Sequence, residues 1–141
     1  LSALPLLILA LRHGVGIGII TGGLYGVVDF VLNPYIFHPI QVVLDYPIAF
    51  GLLGLAGLGF SSDMGQSNFQ QRLRIALGIM LGNAMRLAAH FISGMVFFGE
   101  YAPEGQPVWL YSLGYNASYI VPETIIEILL VQFILRFVHR A

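Results

Sequence analysis

The residues of this chain that can do chemistry are few, and most of them interrupt long apolar stretches. Asp29, Asp45, Arg86, His90, Glu123 and Glu127 all stand inside or at the edge of such stretches. Ionisable groups in that setting are expensive and normally face the protein interior. Arg86 and His90 are four residues apart and share one helix face, with Gly94 one turn further on. Buried Arg is usually paired, so Arg86 is expected in an ion pair with Glu127 or Glu123, tying two helices together. Asp45 has two readings. It either caps the helix it opens, or it stands as a carboxylate at the mouth of a pocket, where it attracts a cation and accepts hydrogen bonds from an amino group. Tyr46 beside it would line the same pocket. The segment from Phe97 to Asn116 is rich in Tyr, Phe and Trp and broken by Pro103, Gly105 and Pro107. Its aromatics fit an interfacial belt or a lid that stacks on a flat, positively charged ring.

Enzymatic constellations are missing from the sequence. It has no HExxH, no Ser/His/Asp set and no phosphate loop, since the Gly-rich segments lie inside apolar runs. His13, His38 and His139 are scattered near element ends, which gives no metal-ligand spacing, and there is no Cys.

The elements that must position these residues are membrane spans. Of 141 residues 57% are hydrophobic and only 9% charged, and mean hydropathy is +0.84. So little charge does not cover a soluble surface, which sets aside a soluble enzyme and a nucleic-acid binder. Four long apolar stretches are read as spans: Gly14–Leu32, Leu44–Phe60, Ile75–Phe98 and Tyr119–Val138, the last starting near Pro122. Their continuous apolarity argues for helices over β-barrel strands. Leu1–Leu11 adds about half a span and is read as the end of one that begins upstream. The expected architecture is therefore all-α, a polytopic transmembrane helical bundle forming one integral membrane domain over 1–141, incomplete at its N-terminus. Gly14, Gly18, Gly22 and Gly26 recur every four residues, a pattern that lets helix backbones approach; packing within the bundle or docking of a partner would both use it. All six basic residues are Arg. Arg12, Arg72, Arg74, Arg136 and Arg140 fall in alternate loops, whereas the loops 33–43 and 99–118 carry none. The positive-inside rule makes the Arg side cytoplasmic, with the C-terminus inside and the two Arg-free loops outside.

With these residues in place, the chain resembles the thiamine-specific substrate-binding subunits (S-components) of energy-coupling factor vitamin transporters. The likeness is carried by Leu44-Asp45-Tyr46-Pro47 and the small-residue run after it. It continues in His90-Phe91-Ile92-Ser93-Gly94, in Tyr101-Ala102-Pro103-Glu104-Gly105, in Leu110-Tyr111-Ser112-Leu113 ahead of Asn116, and in Leu11-Arg12-His13-Gly14 and Leu24-Tyr25-Gly26. The resemblance implies a six-helix fold whose first helix and most of the following outer loop are absent here. It implies binding of thiamine from outside and uptake driven by a coupling transmembrane protein and two ATPase subunits in a bacterial cell membrane. By motif, Asp45 stands where the family has an acidic residue contacting thiamine. His90, Tyr111 and Asn116 match ligand-contacting positions, Phe98 a stacking position, and Tyr46 a pocket neighbour. No cofactor beyond the ligand is implied. Two other readings predict different things. An S-component for a carboxylated vitamin would call for basic groups at the outer mouth. A structural or assembly protein would pair Asp45 and His90 within the fold and leave no cavity near them. A membrane enzyme would need an acid–base or metal set that the sequence lacks.

Overall fold

The computed structural model describes residues 2–59 and 68–138. Five helices follow one another: α1 (Leu4–His13), α2 (Val15–Leu32), α3 (Pro39–Gly59), α4 (Phe69–Phe97) and α5 (Val108–Val138). The described residues contain no strand. Helices α2 to α5 are each long and apolar enough to cross a membrane, and α1 is a shorter apolar helix. This is the expected architecture of four full spans and a partial first one. Arg140 and His139 lie outside the described residues.

Element ends differ from the sequence expectation in three places, each for a local reason. Helix α3 starts at Pro39, not Leu44, because the His38 ring nitrogen Nδ1 accepts from the Ile40 N–H and Pro39 suits a first turn. Asp45 is thus inside the helix and does not cap it. Helix α4 starts at Phe69, where the Asn68 side chain accepts from the Gln71 N–H at 2.8 Å. Helix α5 starts at Val108, so Pro122 is an interior proline and not a first-turn one. Neighbouring helices in membranes make such interior prolines tolerable. The outer connection shrinks accordingly from 99–118 to the residues between Phe98 and Pro107.

Helix α3 is not regular. Pro47 has no N–H to give to the preceding turn and its ring crowds that turn. The backbone widens there into a π-helical stretch, Leu44–Ile48, with the Ala49 N–H donating to the Leu44 carbonyl. It then tightens to a 3-10 helix over Leu53–Gly59. Single π turns are frequent at functional sites, and this one carries Asp45 and Tyr46.

Glycines bring α2 against α3. A Cβ on Gly18 would stand 2.8 Å from the Gly54 Cα; on Gly22 it would meet the Phe50 carbonyl, and on Gly26 the Tyr46 carbonyl. The four-residue repeat on α2 thus lies on a four-residue repeat on α3, at backbone contact. Packing within the bundle accounts for three of the four repeated glycines. Gly14 serves differently, breaking α1 from α2 at φ +87°; its own Cβ direction is open, while its backbone lies against Gly57 of α3.

The buried apolar cluster gathers Leu7 and Leu11 of α1, Leu53 and Ala56 of α3, Ile75 and Ile79 of α4, and Val131 of α5. It occupies the end of the bundle where Arg12, Arg72, Arg74 and Arg136 lie. The opposite end, closed by the Arg-free connections, is not filled in this way, and the polar side chains converge there.

Candidate functional site

Asp45 is the centre of that convergence. Its Oδ1 lies 3.0 Å from His90 Nδ1, and its Oδ2 accepts from Gln41 Nε2 at 2.8 Å and from Ser93 Oγ at 2.9 Å. Gln41 sits one turn before Asp45 on α3, and Ser93 one turn after His90 on α4. The carboxylate therefore links two helices and is itself held in orientation from both sides. Asp45 and His90 are largely but not wholly buried, with side chains 18% and 13% exposed.

A cavity of about 520 Å³ opens beside this pair, within the range of small-molecule sites. All six residues proposed from the sequence line it: Asp45, Tyr46, His90, Phe98, Tyr111 and Asn116. Five come from α3, α4 and α5 and Phe98 from the turn just after α4, and they are not equally available. Tyr46 donates its hydroxyl to the Asn33 carbonyl at 2.8 Å and accepts from the Tyr35 N–H at 3.1 Å, pinning the connection after α2. Asn116 gives its Nδ2 to the carbonyls of Ser112, at 2.9 Å, and His90, at 3.3 Å, and accepts from the Tyr119 hydroxyl at 2.9 Å. Ser112 donates to the Phe91 carbonyl at 2.9 Å. A Cβ on Gly94 would meet the Ser112 side chain. These contacts close α5 onto α4 and fix the wall that Tyr111 and Asn116 share.

Aromatic rings form the mouth. Phe98 has Phe37 at 5.4 Å, Tyr35 at 6.0 Å and Tyr101 at 6.1 Å between ring centres. Tyr35 and Tyr101 face one another, and the hydroxyl of Tyr35 is held above its ordinary pKa of 10.0, chiefly by the charge Tyr101 would carry on ionising. Its hydroxyl presents a hydrogen-bonding tip at the mouth. Deeper in, Tyr119 stands edge-on to the His90 ring at 6.4 Å.

At the floor of the cavity one buried ion pair forms. Arg86 Nη1 donates to Glu123 Oε2 at 3.0 Å. Glu127, expected as an alternative partner of Arg86, instead accepts from Asn83 Nδ2 at 2.7 Å. That pairing rests on residues 44 positions apart, and no local pattern announces it.

Sequence reasoning missed Gln41, Ser93, Ser112 and Tyr119. A signal existed for the first two, since Gln41 to Asp45 and His90 to Ser93 are one-turn spacings. Gln41 is hidden in the sequence because the apolar run that marks the helix begins only at Leu44, after it. The lining also includes Asp29, Tyr35, Phe50 and Tyr101. Among the described residues, no group of three or more His, Cys, Asp or Glu side chains is placed to hold a metal ion.

Four membrane-length helices, with a braced carboxylate and a ring-lined cavity at one end, define a multi-pass membrane protein built around a small-molecule cavity. Within that class the chain belongs to the thiamine transporter protein family (Thia_YuaJ), whose family model matches residues 1–141. It is similar to the thiamine transporter ThiT of Bacillus subtilis (strain 168), at 41% identity over 128 residues, covering 87% of this chain and 67% of the relative. It is similar also to the thiamine transporter ThiT of Lacticaseibacillus paracasei, at 34% identity over 140 residues, covering 94% of this chain and 70% of the relative. Its fold matches a solved structure of ThiT from Listeria monocytogenes with a TM-score of 0.85 at 21% identity, covering 95% of this chain and 76% of that one.

Proposed function

We propose that this chain binds thiamine for uptake, as the membrane substrate-binding subunit of an energy-coupling factor transporter. The observation that carries this is the cavity beside Asp45 and His90 in a chain of the thiamine transporter family. An assembly protein would pair Asp45 with His90, as they are paired here, but would leave no cavity beside them. A carboxylated vitamin would find no Arg or Lys in the connections that close the mouth.

In the proposed site Asp45 faces the thiazolium charge or accepts from the aminopyrimidine. His90 and Phe98 stack on the rings, Tyr111 offers its hydroxyl, and Asn116 holds the wall between them. Tyr46 anchors the α2–α3 connection over the cavity, so its part is to shape the entrance. The chain contains no nucleotide-binding motif. ATP hydrolysis is accordingly assigned to two partner ATPases acting through a coupling membrane protein.

Isothermal titration of the solubilised chain with thiamine tests this reading. Saturable heat at micromolar or tighter affinity is expected, and none with a carboxylated vitamin. No heat with thiamine, or heat with another vitamin instead, would overturn it. His90→Ala is expected to weaken binding by about thirtyfold, the scale of one ring contact of about 1 kcal/mol plus about 1 kcal/mol for the partner Asp45 loses. Parent-like affinity would remove His90 from the site.

The proposed orientation puts the cavity outside and the Arg-bearing end in the cytoplasm of a bacterial cell, with the C-terminus inside. The chain has no Cys, so single cysteines at Gln70 and Glu104 report cleanly. An impermeant thiol reagent on intact cells is expected to label position 104 and not 70. The reverse pattern would invert the topology.

A further inference from the structure

Among the described residues, Arg86 is the one permanently cationic side chain lining the cavity. It lies one helical turn below His90 on α4 and is 7% exposed. A fixed positive charge at the floor is a poor neighbour for a cationic ligand, and it would offset the attraction of Asp45 above it. Two contacts hold it, and a third group stays unsatisfied. Nη1 donates to Glu123 Oε2 at 3.0 Å, the guanidinium lies over the Phe50 ring at 5.3 Å from its centre, and its Nε is buried without a hydrogen-bond partner. Glu123 is not itself a lining residue. Its carboxylate meets the guanidinium from outside the lining, so its charge reaches the cavity through Arg86.

We infer that Glu123 sets the charge selectivity of the cavity: by pairing with Arg86 it offsets the positive floor, so that the lining carboxylates, Asp45 and Asp29, set the sign of the field a bound cation meets. This rests on thiamine as the ligand and adds a residue that the binding-site assignment does not contain. Glu123 acts through Arg86 and is a positioning residue. In the low-dielectric interior an uncompensated charge is felt over several ångströms, so its removal need not touch the ligand to be measured.

The test compares two ligands by titration on the solubilised chain: thiamine, and its neutral analogue in which a thiophene replaces the thiazolium. Glu123→Gln keeps the side-chain shape and an oxygen for Arg86 but removes the charge. Thiamine affinity is expected to fall by about tenfold, while the neutral analogue changes by less than about twofold. Arg86→Gln moves the ratio the other way, thiamine gaining on the analogue. The double substitution returns the ratio to within about threefold of the parent value. The ratio is the readout because a merely structural loss would lower both affinities together. Equal losses for both ligands in Glu123→Gln, or an unchanged thiamine affinity, would overturn the inference while thiamine binding by the parent stands. A parent chain that binds no thiamine overturns the ligand reading and this inference with it.

Discussion

Asp45→Asn is expected to weaken thiamine binding by about a hundredfold or more while the helices stay folded. The substitution is isosteric, so packing around the π turn of α3 is kept. Two things change. The carboxylate that would face the ligand cation loses its charge. One of its two oxygens also becomes an NH₂ donor among groups arranged to donate: Gln41 Nε2 and Ser93 Oγ on one side, His90 Nδ1 on the other. Removing one member of a close, desolvated charge pair costs about 2–5 kcal/mol, and about 3 kcal/mol corresponds to a little over a hundredfold in affinity. Titration gives the affinity, and helical circular dichroism with a melting curve shows that the fold persists. A variant with parent-like affinity would mean that Asp45 only ties α3 to α4, and the proposed site would lose its centre. Asp45→Glu keeps the charge on a longer stem, so it should retain far more affinity than the Asn variant.

The extent to which this site was legible in the sequence follows from the range of each interaction. Arg12, Arg72, Arg74 and Arg136 mark one end because charge placement along the chain is a one-dimensional pattern. The glycines of α2 announce their face by a four-residue repeat. Asp45 and His90 could be singled out because a charged or titratable residue in an apolar run is costly wherever it occurs. What the residues do not announce is how they meet. Asp45 and His90 are 45 positions apart, and Asn83 and Glu127 are 44 apart, so only the folded bundle says that Glu127 belongs to Asn83 and Glu123 to Arg86. Local signals also competed. Pro122 read as a first-turn proline and concealed two turns and more of helix ahead of it, which put Tyr111 and Asn116 on a loop instead of a rigid wall. Pro47 gave no periodic sign of the π turn that aims Asp45 inward.

The α2–α3 crossing that supports this turn is expected to fail when Gly22 becomes Leu. In a bilayer, lipid competes with protein for apolar surface, so helix association depends on close packing, which small residues permit. Gly22 is buried, and a side chain there would run into the Phe50 carbonyl and the Gly51 Cα of α3. These are backbone atoms and have no rotamer to yield. The helices must separate, and overpacking of this kind costs typically 1–3 kcal/mol and at times more. For a chain of this size about 3 kcal/mol corresponds to a fall of roughly 10 °C in Tm. Gly16→Leu on the same helix is the control. It makes the same change of residue and helix propensity, but nothing lies within 4 Å of a Cβ at that position, so its Tm should stay within about 2 °C of the parent. Thiamine affinity should follow the same division, because Gly26 and Gly22 seat the stretch of α3 from Tyr46 to Phe50 that holds Asp45 against α4. Equal melting temperatures for Gly22→Leu and Gly16→Leu would mean that the bundle tolerates a wider crossing, and that the glycine repeat is not what places the carboxylate.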